Sequence, residues 1–358
     1  MKAEIIQDDA GAMLRNARQI AGDFGKFYTP EGLCKLITRL ATTNRRVDSV
    51  LDPACGCGAL LVYAHEIIGN AFYAGQEIDA NSCQLAENNL KANGCGRFRI
   101  VNCDTLASVG DFDEKFDCVL ANPPFSVPWN PDALLFDPRF NGCYAPASKA
   151  DLAFVQHGLY WLKPGGIAAY ILFPGALYRG GKEEKIRAQL LPFIRSVISF
   201  PDKLFEETSI STVCVLFEKE PSNDPVFFLD ASDFCTKDGK RNVVSDDDIE
   251  KICAIVGKRE VIENQSALID RVSIAANSFN LSPLSYVEKV VVNDNPYSGM
   301  KIEDVIVDGE NWARYSFYKQ MNALAVMRQA FGLEYKQEFI DCDVEALRPA
   351  SYDQFSKR

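Results

Sequence analysis

A short apolar run at residues 47–51 enters Asp52-Pro53-Ala54-Cys55-Gly56-Cys57-Gly58 and continues as a second apolar stretch, Ala59-Leu60-Leu61-Val62-Tyr63-Ala64. The succession reads as strand, glycine turn and helix, the unit from which parallel α/β sheets are built. Glycines at 56 and 58 let the backbone approach a ligand closely. The helix that follows aims free N–H groups and the positive end of its dipole at that ligand. A further strand candidate at 71–76 ends at Glu77, 21 residues after Gly56. That is about the ~20-residue spacing at which dinucleotide-type folds set an acid against ribose hydroxyls. The six-position glycine fingerprint for a pyrophosphate is absent, so a nucleoside without one fits better than NAD.

The alternation continues along the chain. Strands are expected at 47–51, 71–76, 98–101, 116–121, 167–173, 194–200 and 212–218, with helices at 60–68, 81–92, 151–162 and 182–190. Residues 201–211 leave no room for a crossover helix, so the last two strands should be antiparallel neighbours. Pro221-Ser222-Asn223-Asp224-Pro225 reads as a linker. Beyond it, helices are expected at 246–256 and 323–331. The division that follows is an amino-terminal segment 1–45, a catalytic domain 46–220 and a carboxy-terminal region 221–358, a smaller α/β or helical appendage.

Asn122-Pro123-Pro124-Phe125 closes the fourth strand candidate. A side-chain amide oxygen beside a backbone carbonyl can accept both hydrogens of an exocyclic NH2, and Phe125 offers a face for a flat ring. Two prolines fix φ and remove two donors, so the turn presents mostly acceptors in a rigid shape. The plain alternative is a proline-terminated strand with Phe125 in the core.

With these residues in view, the chain resembles the S-adenosylmethionine-dependent adenine-N6 DNA methyltransferases, and more closely the modification subunit of type I restriction-modification systems. Four further segments carry the closer likeness: Phe24-Gly25-Lys26-Phe27-Tyr28-Thr29-Pro30, Ser148-Lys149-Ala150-Asp151-Leu152-Ala153-Phe154, Leu162-Lys163-Pro164-Gly165-Gly166, and 273–282. The sequence departs from the family where Cys57 replaces the usual Ser and Phe173-Pro174 replaces the usual Pro-Asn before Gly175. The resemblance also leads one to expect a helical domain of a hundred or more residues ahead of the Phe24–Pro30 motif, where this sequence has 23 residues. The resemblance implies a Rossmann-like methyltransferase sheet of seven strands and S-adenosylmethionine as cofactor. Phe27, Tyr28, Thr29, Pro30, Asp52, Pro53, Ala54, Cys55, Gly56 and Gly58 would then lie around its methionine end. Glu77 would take the ribose hydroxyls, Ile78 would lie against the adenine ring, and Asp104 would accept the adenine amine. Asn122, Pro123, Pro124 and Phe125 would hold a flipped adenine, with Asn122 also beside the cofactor. Asp79, the rival of Glu77, reads instead as the cap of the helix from Asn81.

The formal net charge of −11 argues against a strong grip on duplex DNA by this chain alone, because phosphate contacts need Lys or Arg. Lys182, Lys185, Arg187, Arg195, Lys149 and Arg139 read as ordinary solvated faces. Something else should bring the DNA, and the resemblance implies that this partner is a specificity subunit, with a restriction subunit as a further candidate and residues beyond about 290 as the expected docking surface. The long stretch 126–147 is a candidate for closing over the flipped base, or for packing its aromatics on the sheet edge. The singly scattered cysteines read as reduced core thiols, and His65 and His157 lie in apolar helical patterns, so no metal is expected. With no membrane span and no signal peptide, the chain is expected in the cytoplasm. Other planar amines, a ribosomal-RNA guanine or a protein glutamine, remain rival substrates, and a degenerate non-catalytic subunit is the non-enzymatic alternative.

Overall fold

The computed structural model describes residues 29–109, 112–134, 136–205, 210–239 and 241–287, and in the carboxy-terminal stretch 307, 310–321, 345 and 348–349. Phe27 and Tyr28 of the Phe24–Pro30 motif, and the helix expected at 323–331, lie outside the described residues. The chain divides into two compact units, 1–289 and 290–358.

In the first unit, helix α1 (Glu31–Thr42) precedes β1 (Ser49–Asp52), α2 (Ala59–Ile68), β2 (Phe72–Glu77), α3 (Ala80–Ala92), β3 (Phe98–Asn102) and β4 (Phe116–Ala121). Then come α4 (Asp151–Trp161), β5 (Leu162–Leu172), α5 (Lys182–Leu190), β6 (Ile194–Ser199), β7 (Val213–Glu218) and β8 (Val226–Asp230). The hairpin β9 (Thr236–Asp238) and β10 (Arg241–Val243), α6 (Asp246–Lys258), β11 (Ser266–Ile269) and α7 (Arg271–Ala276) complete it. The sequence boundaries hold to within a residue or two, apart from β5, which starts earlier than expected.

The main sheet runs in the order β3, β2, β1, β4, β5, β7, β6, β8, β11. β1 through β5 are parallel, and β7 is antiparallel to both β5 and β6. The first seven strands form the methyltransferase sheet that the resemblance implies. Two more extend it: β8 pairs parallel to β6, and β11 antiparallel to β8. The expected boundary at 220/221 therefore falls inside the sheet. β8 is buried along its whole length, as an inner strand must be.

Local chemistry sets the element ends. Asp79 caps α3 by accepting from Ser82 N–H at 2.7 Å, as its sequence position suggested. Ser245 and Asp248 form a reciprocal capping box on α6. Apolar faces of α1, α2 and α6 cover one side of the sheet, and those of α4 and α5 cover the other. α1 packs against α2, α6 and β5, so the segment just before it is anchored by the core.

The second unit contributes a helical stretch at 310–321, in which Tyr315 is buried and its hydroxyl lies 3.3 Å from Glu345 Oε1.

Candidate active site

The strand order reverses between β1 and β4, and in open parallel sheets such a point opens a crevice at the carboxyl ends of the strands. Asp52 ends β1 and Asn122 is the first residue beyond β4, so the two motifs flank one crevice.

Gly56 and Gly58 take φ of +54° and +80°, conformations that L side chains rarely adopt. A Cβ on Gly58 would come within 3.0 Å of Ala86, and one on Gly75 within 2.6 Å of Cys55 Sγ. At Gly58 and Gly75 the turn therefore sits on α3 and β2 with no spare room, whereas a Cβ on Gly56 would meet nothing within 4 Å. Cys55 N–H donates to the Gln76 carbonyl at 3.0 Å, Asn89 Nδ2 to the Cys57 carbonyl at 2.8 Å, and Thr105 Oγ1 to the Pro53 carbonyl at 2.5 Å.

Two carboxylates bound the turn. Glu77 Oε2 accepts from Gly56 N–H at 3.0 Å and Oε1 from Asp79 N–H at 2.9 Å, so the acid picked out by spacing meets the glycine from which it was counted. Asp52 is 2% exposed, and its Oδ1 accepts from Ala54 N–H at 3.0 Å. Burial pushes its carboxyl up to about 7, the Glu77 charge adds to the rise, and the Ala54 N–H opposes it. Ile78 stands out at 67% exposure, positioned by Asn102 Nδ2, which donates to the carbonyls of Glu77 and Ile78 at 2.9 Å each. Asp104 is exposed and uses Oδ1 on its own turn, accepting from Leu106 and Ala107 N–H at 2.9 and 3.3 Å.

Across the crevice, Asn122 Nδ2 donates to Thr29 Oγ1 at 2.9 Å, which brings the Thr29-Pro30 pair to the Asn-Pro-Pro-Phe turn. Asn122 Oδ1 is buried and, among the described residues, has no hydrogen-bond partner. A buried acceptor left open is costly unless something else fills it. Pro123 is buried, Pro124 is exposed, and Phe125 is half-buried, edge-to-face with Phe205 at 6.2 Å. The turn is locked from behind by Asp151, the first residue of α4. Asp151 is 1% exposed, and its Oδ1 accepts from Ser126 N–H at 3.2 Å. Ser126 is held at φ +52°. The Ser148–Phe154 segment carries the resemblance, but nothing local in it signals this role for Asp151.

Several sequence expectations need correction. Of the basic residues read as solvated faces, Arg139 and Arg187 are buried. Arg187 donates to the carbonyls of Ala176, Arg179, Ser278 and Phe279, tying α5 to residues 278–279. Arg139 Nη1 donates to the carbonyls of Thr105 and Ser108 at 2.7 and 2.9 Å, and Nη2 to that of Leu106 at 3.1 Å and to Asp137 Oδ2 at 2.6 Å. Nη1 also lies 2.9 Å from His157 Nδ1, while His157 Nε2 lies 2.8 Å from Gln76 Oε1. An arginine can only donate, so Nδ1 accepts and Nε2 carries the proton. Burial, with the Arg139 charge added, pushes His157 down to about 3, which keeps the ring neutral. His157 is thus a structural link rather than one residue of an apolar stripe.

Through this network the stretch 126–147 is fastened beside Glu77. Phe140 is buried, and Trp129 and Tyr144 pack partly on the same core. Trp129 Nε1 donates to the Pro146 carbonyl at 3.0 Å and Tyr144 hydroxyl to that of Leu134 at 2.9 Å. Of the two expectations for this stretch, the packed one describes these three aromatics, whereas Phe136 is 98% exposed. The described cysteines are free, and burial pushes the Cys34, Cys55, Cys118 and Cys214 thiols up, consistent with inert core positions. Among the described residues, no helix is long and apolar enough to cross a membrane.

Comparison with known proteins agrees with this geometry. The profile of the family described as N-6 DNA Methylase matches residues 11–295. The methylase subunit of the type I restriction enzyme MpnII from Mycoplasma pneumoniae is 37% identical over 287 residues, covering 74% of this chain and 53% of the relative. The MjaVII methylase subunit from Methanocaldococcus jannaschii is 31% identical over 288 residues, covering 74% and 49%. Among solved structures, the methyltransferase subunit of a type I restriction-modification system from Streptococcus thermophilus matches with a TM-score of 0.70 and 35% identity, over 73% of this chain and 59% of that one. The chain thus spans about half the length of the curated relatives it matches.

Proposed function

The chain belongs to the N-6 DNA methylase family, and on that premise we propose that it methylates adenine N6 in duplex DNA from S-adenosylmethionine, as the modification subunit of a type I-like system. The observation that carries the reading is Asn122 Oδ1, buried at the switch point of the sheet and without a hydrogen-bond partner among the described residues.

The residues present fit the cofactor. The Asp52–Gly58 turn holds two glycines in the left-handed region; at Gly58 and Gly75 it packs too closely for a Cβ, while a Cβ on Gly56 would stand in open space, on the side where a ligand can approach the backbone. Asp52, buried and raised to about 7, gains a counter-charge when the ammonium of the methionine end lies beside it. Glu77 is already fixed at Gly56, suited to ribose hydroxyls. Thr29 and Pro30 would complete the methionine end, Ile78 would lie against the adenine ring, and Asp104 would accept its amine. When bound, S-adenosylmethionine supplies an electrophilic methyl group.

The remaining chemistry belongs to the turn after β4. The lone pair of adenine N6 is delocalised into the ring, so the amine is a poor nucleophile. Asn122 Oδ1 and the Pro123 carbonyl accept its two hydrogens, draw the nitrogen out of conjugation and aim its lone pair along the line of transfer. Orientation and electrostatics do this without a titrating base, and the nitrogen, cationic once methylated, then gives up one of those hydrogens as a proton to water. The base must leave the duplex to reach them, and Phe125 receives it by stacking.

An acidic chain leaves much of the phosphate contact and base readout to a partner. A specificity subunit fills that role, docked through residues beyond about 290, with a restriction subunit completing the assembly in the cytoplasm. The relatives' printed names, and a solved assembly described as a type I restriction-modification complex, 20% identical with a TM-score of 0.64, support the fold and setting of this reading.

The test is tritium transfer from labelled cofactor to DNA, RNA or protein, with and without the specificity subunit. The expected result is transfer to DNA adenine, site-specific with the subunit, and lost in Asn122→Ala while S-adenosylhomocysteine still binds. Label on RNA or protein instead, or near wild-type turnover in Asn122→Ala, refutes the assignment.

A further inference from the structure

The hydrogen bond from Asn122 to Thr29 joins residues 93 positions apart. It occupies the nitrogen half of the amide and leaves the oxygen half buried and open. An asparagine side chain has two nearly isosteric orientations, related by a half-turn of its terminal bond, which exchange oxygen for nitrogen. Only one of them can draw a hydrogen from a planar amine. With Oδ1 toward the amine, acceptor meets donor; with Nδ2 there, donor meets donor.

We propose that Thr29 is a positioning residue, whose hydroxyl holds the plane of the Asn122 amide against rotation; accepting from Nδ2 it leaves Oδ1 for the reacting amine, whose own hydrogens select that one of the two orientations. This rests on the reading of Asn122 as the amine acceptor. It assigns Thr29 a part in the reaction distinct from the cofactor contact that the Phe24–Pro30 motif suggests.

Thr29 is built for such a role. It is 8% exposed and precedes Pro30, which biases it toward an extended backbone. The Pro30 carbonyl accepts from Leu33 and Cys34 N–H at 3.0 and 2.9 Å, and Cys34 Sγ lies 3.5 Å from the Thr29 carbonyl. Leu33, Leu36 and Ile37 of the same helix are buried in the core. The hydroxyl is therefore delivered by the end of a rigid, packed helix. Asn122 is held as firmly from its own side, between buried Pro123 and the last residues of β4. Two rigid elements meeting at one hydrogen bond fix a torsion that the Asn side chain alone leaves free.

Thr29→Val keeps the shape and removes the hydroxyl; Thr29→Ser restores it. Both are compared with wild type on the full chain with its specificity subunit. The measurements are single-turnover tritium transfer to duplex DNA, the calorimetric Kd for S-adenosylhomocysteine, and the NMR signal of the Asn122 side-chain NH2, assigned by its loss in Asn122→Asp. In Thr29→Val the single-turnover rate at saturating cofactor, where any change in Kd no longer enters, should fall about three- to tenfold, the factor one neutral hydrogen bond supplies. Exchange of the Asn122 NH2 protons with solvent should quicken, and Thr29→Ser should recover rate and exchange together. An unchanged rate with an unchanged NH2 signal in Thr29→Val overturns the proposal. So does a loss carried wholly by a weaker Kd, which would make Thr29 a cofactor ligand. The functional reading fails by a separate sign: wild type that moves no tritium to DNA while its NH2 signal still responds to Thr29→Val. That result would leave the hydrogen bond in place but overturn its role in the reaction.

Discussion

Asp52→Asn should make the protein more stable and less able to bind its cofactor, with a pH dependence that identifies the cause. The substitution is isosteric and keeps Oδ1 as acceptor for Ala54 N–H, the bond seen at 3.0 Å. What it removes is a charge held in a site that is 2% exposed. Burial raises the folded-state carboxyl to about 7, whereas the unfolded chain titrates near the ordinary value of about 3.9. A folded pKa above the unfolded one means that the folded state binds the proton more tightly. The ionised group therefore costs nothing below about pH 4, and the penalty grows as pH rises toward 7. At pH 8 holding the carboxylate costs about 4 kcal/mol, at pH 6 about 3 kcal/mol, and near pH 4 only a few tenths. Urea unfolding of wild type and Asp52→Asn, followed by tryptophan fluorescence, should show the variant more stable at pH 8 and the two nearly alike at pH 4. At pH 8 the variant should bind S-adenosylhomocysteine weakly or not at all. A stability difference that is flat with pH, or an Asp52→Asn protein less stable at pH 8, would refute the electrostatic argument. Unchanged cofactor affinity would separate Asp52 from the cofactor and leave the stability argument standing.

Two further outcomes follow from groups that the reaction does not touch directly. Asp151→Ala removes the carboxylate that holds Ser126 N–H behind the catalytic turn. Single-turnover transfer should fall roughly 10- to 150-fold, the ~1.5–3 kcal/mol of a hydrogen bond to a charged group, while cofactor Kd stays put and Asp151→Asn retains most of the rate; equal losses in the two variants would contradict this. His157 is depressed to about 3 in the folded state, so its contribution is full above the unfolded value of about 6.5 and is lost as pH falls toward 3, about 3 kcal/mol by pH 4. His157→Gln should flatten the fall in urea midpoint between pH 7 and pH 4.5, and an unchanged slope would show that the acid sensitivity arises elsewhere.

Much of the site was legible in the sequence because its signals are local or evenly spaced. A glycine turn must carry glycine where φ is positive, and Gly56 and Gly58 do. The acid counted from Gly56 by spacing alone ends within 3.0 Å of it, since a strand–helix–strand unit of fixed length returns the chain to the same crevice. Asp79 was readable as a helix cap because capping is decided within a few residues. The parallel core and the antiparallel β6–β7 pair followed from connection lengths.

What the sequence left open depends on which distant groups meet. Arg139 looks like any surface arginine until Asp137, His157 and the carbonyls after β3 close around it. Asp151 opens a helix in the sequence and locks the catalytic turn in the fold. The assignment of β8 and β11 to the main sheet rests on pairing with β6, which no local pattern records. The sequence by itself determined the crevice and the chemical types that line it, because turns, caps and strand–helix alternation are settled by near neighbours. The tertiary structure alone decided that Thr29 holds Asn122 and that Oδ1 is the buried acceptor left open, because a hydrogen bond across 93 residues exists only once both rigid elements are packed.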